Sequence, residues 1–267
     1  MSFDKITTQG MVLLGCGKMG SAMLAGWLSQ GIPSGSIHVI EPHPSDWLRG
    51  TGVVLDSALP EAPAVAILAV KPQMMGAALP RLQNLGDGKT LFISVAAGTS
   101  LAQLAATLGD QAPVIRAMPN TPAAVGAGIT ALIGNTRVTG DDMAMAEALL
   151  AAVGTTVQLQ DEAQMDAVTG LSGSGPAYVF HLIEAMAAAG EAEGLEAGLA
   201  MTLARATVIG AGQLALASTE SAAQLRMNVT SPQGTTAAAL DVLMPELTGL
   251  MTRAIAAAAK RSRELSQ

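Results

Sequence analysis

Side chains able to do chemistry gather at three places in this chain, and all three are set among glycines. They are GCGKMG at residues 15–20, VTGLSGSGPAY at 168–178 and VTSPQGTT at 229–236. None contains a histidine or a carboxylate, and Lys18 is the only charged residue among them. Free backbone N–H groups and hydroxyls of this kind hold anions and orient a small substrate. The middle run is the least explicable by local propensity. Glycine costs roughly 1 kcal/mol per helical position and proline roughly 3, yet four such residues fall within seven positions of an otherwise helical stretch. The usual reason is close approach of backbone to backbone or of backbone to ligand.

GCGKMG follows a strand candidate and opens a helix candidate, the setting in which G-x-G-x-x-G binds a dinucleotide. Gly15 permits the tight turn, Gly17 lets the backbone approach pyrophosphate, and Gly20 lets the helix pack on the sheet. Lys18 faces the phosphates or points to solvent. The second strand candidate, IHVIE, ends at Glu41, where such folds place the residue that meets the adenosine ribose; a carboxylate there accepts from the 2′- and 3′-hydroxyls and repels a 2′-phosphate. NADH is therefore expected over NADPH, with Asp56 adding to the repulsion and His43 and Arg49 as basic counterweights. Asn120, in RAMPNTP (116–122), either orients the nicotinamide or substrate or bonds its own turn.

In LRMNVTSPQGTTAAAL (225–240), Pro232 and Gly234 break the chain, and Thr235 or Thr236 is placed to cap a helix starting near Ala237. A helix N-terminus with hydroxyls beside it suits a substrate carboxylate.

The elements that must position these groups divide the chain in two. From Met11 to about Leu159 short apolar runs (MVLLG, IHVIE, VAILAV, LFISVA, PVIRAM, ITALIG, TTVQLQ) alternate with helical stretches, which implies a mostly parallel sheet covered on both faces, whose closing strands need not keep strict βαβ order. After about Gln160 only helical patterns remain. A dinucleotide-binding domain at 1–160 and a helical domain at 161–267 are expected. The helical half is apolar on more than one face and asks for cover from a second copy or from its own bundle.

Composition narrows the function classes. Half the residues are apolar and 2% aromatic, so the core is built from Ala, Leu, Val and Met. The net charge of −7 argues against nucleic acid, whose binding needs clustered Lys and Arg. The longest apolar runs are strand-sized and the start carries no apolar signal, so neither a membrane span nor export is expected, and a cytoplasmic location is. One cysteine, Cys16, permits no internal disulfide, and His38, His43 and His181 lack metal-ligand spacing, so no metal is expected. Cys16 is a small residue in a tight turn or, at a helix start, an activated thiol.

Taken together, GCGKMG, GLSGSGPAY and VTSPQGTT closely resemble the pyrroline-5-carboxylate reductase family over almost the whole chain. The resemblance implies a Rossmann-type dinucleotide-binding domain followed by an all-helical dimerisation domain. It further implies hydride transfer from NADH or NADPH to the cyclic imine of 1-pyrroline-5-carboxylate, giving L-proline. Matched motifs place the cofactor against Gly15, Gly17, Lys18, Met19 and Gly20, Glu41 and Asp56, Ala69, Val70, Lys71 and Pro72 (A-V-K-P), Ala97 and Gly98 (V-A-A-G), Asn120 and Asn228. They place the substrate carboxylate on Ser231, Thr235 and Thr236, with Glu162 and Thr236 as catalytic groups and Glu162 near the ring nitrogen. A homodimer, and larger rings built from dimers, are implied as well. Two departures stand out: the usual S-P-G-G-T-T is Ser-Pro-Gln-Gly-Thr-Thr here, and L-K-D is Leu225-Arg226-Met227. If position 233 needs a positive φ, Gln233 is strained. Hydroxyacid dehydrogenases share a G-x-G-x-M-G loop and a helical domain but use an interdomain lysine, and no lysine occurs between Lys89 and Lys260. A non-catalytic dinucleotide sensor is the alternative of another class.

Overall fold

The computed structural model describes residues 3–265. Helix α1 (Asp4–Gln9) leads into β1 (Met11–Leu14), α2 (Lys18–Ser29), β2 (Ile37–Ile40), α3 (Asp46–Gly50) and β3 (Val54–Leu55). Next come β4 (Val65–Leu68), α4 (Pro72–Ala78), β5 (Leu91–Ser94), α5 (Leu101–Leu108) and β6 (Val114–Met118), then β7 (Gly128–Gly134), α6 (Gly140–Leu150) and β8 (Gly154–Gln158). Only helices follow: α7 (Met165–Val168), a π-helical turn at Thr169–Gly173, α8 (Gly175–Ala192), α9 (Ala197–Ala217), α10 (Ala222–Asn228) and α11 (Thr235–Leu265).

The strands form one sheet in the order β3-β2-β1-β4-β5-β6-β7-β8, parallel except for the antiparallel β6–β7 pair. β1, β4 and β5 are buried along their whole length, as strands covered on both faces must be. Their side chains alternate between two cores: Met11, Leu13, Val65 and Ile67 join Met23, Leu24 and Trp27 of α2, while Val12, Leu14, Ala66 and Leu68 join Met75, Leu79 and Leu104. Trp27 also donates from Nε1 to the carbonyl of Leu149 at 2.8 Å, so α2 and α6 cover the same face. The seven strands expected are present. β3 is additional, a two-residue edge paired with β2.

The glycine-rich run at 168–178 does not break the helical path. It winds through a π-turn between α7 and α8, with Gly170 buried. A Cβ on Gly173 would lie 2.6 Å from Cε of Met118, the flexible end of a side chain at the end of β6.

By packing, the chain up to Gly173 and again from Ala259 belongs to one compact unit, and Ser174–Ala258 forms a second. In the second unit α8 and α9 pair where a Cβ on Gly190 would already sit 3.3 Å from Cβ of Ala200. Large apolar side chains there, among them Phe180, Ile209, Leu216, Val242 and Leu250, are exposed in the single chain. α9 is long and apolar enough to cross a membrane by length and composition. Its apolar character is spread through alanines and interrupted at Arg205, so it does not show as a continuous run in the sequence.

Candidate cofactor and substrate sites

In the sheet order, the strands either side of the β1–β4 pair run off in opposite directions, and such a switch point is where open α/β sheets bind ligands, outside the carboxyl ends of their strands. The loop between β1 and α2 sits there. Gly15 has φ +91°, and a Cβ on it would meet Cγ1 of Val70 at 2.8 Å and the backbone of Ala69 at 2.9 Å. A Cβ on Gly20 would run into the carbonyl oxygen of Gly15. These two glycines are required by the protein's own packing. Gly17 is not: its φ is −72°, and a Cβ there would meet nothing within 4 Å. It is the N-cap of α2 and makes no side-chain cap bond, so the helix presents free N–H groups over an open glycine. That cradle fits a dinucleotide pyrophosphate. Lys18 is exposed at the first position of α2, and Met19 packs partly into the core.

Glu41, just beyond β2, is fixed by the loop itself. Oε2 accepts from the N–H of Cys16 at 2.8 Å and Oε1 from the N–H of His43 at 3.1 Å. Burial first, and then the charge of Glu41, push the Cys16 thiol up to about 11, so the inert alternative describes this cysteine better than the activated one. Asp56 follows β3 with φ +43°, its N–H on the carbonyl of Val39 at 3.1 Å, which brings its backbone beside β2 two residues before Glu41. Ala69 and Val70 form the wall against Gly15; Lys71 is exposed at the N-cap of α4 and Pro72 takes the first position of that helix. Gly98, at φ +77°, and exposed Ala97 turn the chain from β5 toward α5.

At the end of β6, Asn120 does not bond its own turn. Its Oδ1 accepts from the N–H of Ile129 at 3.0 Å, and its Nδ2 donates to the carbonyl of Ser172 at 3.3 Å. It ties β7 and the π-turn to the β6 loop. Glu162 has comparable occupations: one oxygen, Oε1, accepts from Nη1 of Arg116 at 2.8 Å and from the N–H of Leu101 at 2.9 Å. Sequence reasoning passed over Arg116. A lone arginine inside an apolar strand run, PVIRAM, was the available signal, because a buried guanidinium must find a partner.

In the second unit the loop after α10 is a tight turn. The N–H of Gly234 donates to the carbonyl of Ser231 at 3.0 Å, Pro232 takes the second position and Gln233 the third at φ +58°, the pattern of a type II turn. Gln233 therefore does occupy a conformation that favours glycine. α11 starts at Thr235, two residues before the expected start near Ala237, because the carbonyl of Gly234 already takes the first helical bond, from Ala238. Thr235 and Thr236 thus belong to the first turn and do not cap it. Asn228 accepts from Gln224 and donates to Glu220, both at 2.8 Å, on an exposed face of α10.

Comparison with known proteins covers both halves. The model named Pyrroline-5-carboxylate reductase dimerisation matches residues 162–265, and NADP oxidoreductase coenzyme F420-dependent matches residues 11–98. The pyrroline-5-carboxylate reductase of Pseudomonas aeruginosa is 40% identical, over 98% of this chain and 98% of that one. The chain belongs to the pyrroline-5-carboxylate reductase family. Among solved structures, a pyrroline-5-carboxylate reductase from Coxiella burnetii superposes with a TM-score of 0.92 at 35% identity, covering 97% of this chain and 99% of that one. The Plasmodium falciparum pyrroline carboxylate reductase with NADP bound gives 0.81 at 27% identity, covering 98% and 99%. The oxidoreductase match takes in the glycine loop, Glu41 and Gly98; the dimerisation match takes in Glu162, the π-turn and the 231–236 turn. Asn120 lies in neither, yet the full-length relatives span it. Pyrroline-5-carboxylate reductases thus match this chain from the nucleotide loop to the last helix, as an NAD(P)H-dependent oxidoreductase.

Proposed function

We propose that this chain reduces 1-pyrroline-5-carboxylate to L-proline with NADH or NADPH. The observation that carries the reading is the end-to-end match to pyrroline-5-carboxylate reductases, which includes the helical half as well as the nucleotide half. When bound, the reduced nicotinamide supplies the hydride to the imine carbon. The protein's task is then placement, because a protonated imine is already a good hydride acceptor. Gly17 and the open start of α2 take the pyrophosphate; Gly15, Lys18, Met19 and Gly20 frame it; Ala69, Val70, Lys71, Pro72, Ala97, Gly98, Asp56 and Asn120 line the cofactor path. Ser231, Thr235 and Thr236 hold the substrate carboxylate, with Thr236 also a catalytic group. The functional division is at 160/161, with cofactor binding before it and dimerisation and substrate binding after it.

The helical half pairs with a second copy, and dimers join into larger rings; the exposed apolar side chains of α8, α9 and α11 supply the surface. That pairing also covers α9, whose apolar surface then needs no membrane. A cytoplasmic setting fits this substrate.

NADH is the preferred cofactor. Glu41 is held with both oxygens on backbone N–H groups at the ribose end of the loop, so it does not swing away from a 2′-phosphate. Two anions about 4 Å apart at a partly exposed site repel by roughly 4 kcal/mol at an effective dielectric near 20, before salt screening. The expected result is a higher kcat/KM for NADH than for NADPH, shifting toward NADPH in Glu41→Ser. A wild-type preference for NADPH, or an unshifted variant, removes this role. For the activity itself, purified cofactor-binding protein should oxidise NADH or NADPH only when the imine acid is added; no imine-dependent oxidation sinks the reading and leaves the dinucleotide sensor.

A further inference from the structure

We propose that Glu162 is a positioning residue acting through Arg116 and the start of α5, and not a group that exchanges a proton with substrate. The inference rests on the reading that the loops after β5 and β6 face the cofactor. Oε1 of Glu162 accepts two bonds at once, from a β6 side chain and from the first N–H of α5. Arg116 lies two residues before Met118, at the end of β6, and Leu101 follows the 95–98 loop by way of the Ser100 cap. One carboxylate oxygen therefore fixes both loops. The pair differs from the other ion pairs among the described residues: the Arg116 side chain is 7% exposed, whereas every cation in the others is at least 65% exposed.

Burial decides the role. A guanidinium out of water needs its counter-charge, and removing one member of such a pair is far more costly than breaking a surface pair. A proton relay would require Glu162 to pass through its neutral form beside that guanidinium, losing the pair and weakening the bond to Leu101 in each turnover. A fixed carboxylate needs no such step. Asn120 works in the same manner one loop further on, joining Ile129 and Ser172, so the carboxyl edge of the sheet is braced by side chains that bond protein on every side.

The test combines fluorescence titration of NADH and NADPH with the pH profile of kcat. Glu162→Gln keeps a carbonyl acceptor where Oε1 lies but cannot relay a proton. Because Arg116 then lacks its counter-charge, cofactor binding should weaken, while kcat at saturating cofactor and the shape of the pH profile stay as in the wild type. Glu162→Ala should weaken cofactor binding about tenfold or more, with a smaller change in kcat at saturating cofactor. Should the alanine variant fold poorly, Arg116→Met combined with Glu162→Leu replaces the ion pair by apolar volume and still removes the acceptor for Leu101, so the same weakening is expected. A loss of kcat beyond about a hundredfold in Glu162→Gln at unchanged cofactor affinity, or wild-type cofactor binding in the apolar pair, overturns the proposal. Binding is read without the imine, so a failure of the proposed reaction appears in the wild type and is distinct from a failure of the brace.

Discussion

The turns that open α2 and α11 both use glycine beside a helix start, but they spend it differently. At residues 15–20, Gly15 and Gly20 sit where a Cβ would strike Val70, Ala69 or the loop's own carbonyl, and Gly17 faces open space. At residues 231–234, position 233 has a positive φ and carries glutamine. Crowding by backbone has no cheap remedy. A left-handed conformation with room for the side chain costs only about 1 kcal/mol for a non-glycine residue. The contrast explains why the nucleotide loop has glycine at positions 15 and 20 while the other turn carries glutamine at 233, where the usual S-P-G-G-T-T has glycine.

The largest effect should come from the crowded turn. Gly15→Ala combines a wrong φ with contacts under 3 Å, and strain of about 2–5 kcal/mol is expected. Expressed in the loop's binding geometry, that corresponds to a loss of cofactor affinity of about thirtyfold or more, read by titration. Near-normal binding would show that the loop relaxes, and would erase the contrast with position 233. The next effect is chemical. With the Cys16 thiol at about 11 in place of 9.0, its thiolate fraction at pH 8 falls about a hundredfold, and iodoacetamide should alkylate it correspondingly slowly. The sign is that of an acid raised on folding: the neutral thiol favours the folded state, and this contribution is lost as the pH rises above about 9. Glu41→Ser removes one of the two causes and should speed alkylation; a rate like that of a free thiol in the wild type contradicts the packing of this turn.

At the second turn, Thr236→Val removes a hydroxyl with little change of shape. One hydrogen bond to a charged group is worth about 1.5–3 kcal/mol, so kcat/KM for the imine acid should fall about tenfold or more while cofactor affinity holds. Unchanged kinetics would move the carboxylate site elsewhere. The smallest effect is Gln233→Gly. Relief of the left-handed strain, partly offset by the freer unfolded chain, should leave a gain of up to about 1 kcal/mol and raise Tm by about 1–4 °C. A loss of stability would mean that the Gln233 side chain contributes more than its backbone costs.

The sheet was legible because its strands are unbroken apolar runs at alternating spacing, MVLL, VAIL and LFIS among them. β3 was not, since Val54 and Leu55 are too short a run to register as a period. The helical path through residues 168–178 was hidden for the opposite reason: propensity argues for a break at Gly170, Gly173 and Pro176, whereas a π-turn at Thr169–Gly173 carries the chain through and Pro176 falls in the first turn of α8, where it costs no helical bond. Site residues that share a local motif, such as Gly15, Gly17 and Gly20, were readable together with their individual reasons. The brace was not, because Glu162 meets Leu101 and Arg116 from 61 and 46 residues away and no local pattern records such a meeting. The capping role given to Thr235 and Thr236 rested on helix propensity after Pro232; the turn closed by Gly234 lets the helix begin earlier.

Tracing the hydride tests the central claim most directly. Purified protein is supplied with 1-pyrroline-5-carboxylate and reduced cofactor deuterated at the transferring position, and the product is analysed by mass spectrometry and NMR. The expected product is proline carrying one deuterium on the former imine carbon, formed in step with cofactor oxidation. Cofactor oxidation without labelled proline, or no oxidation by protein that binds the cofactor, contradicts the assignment.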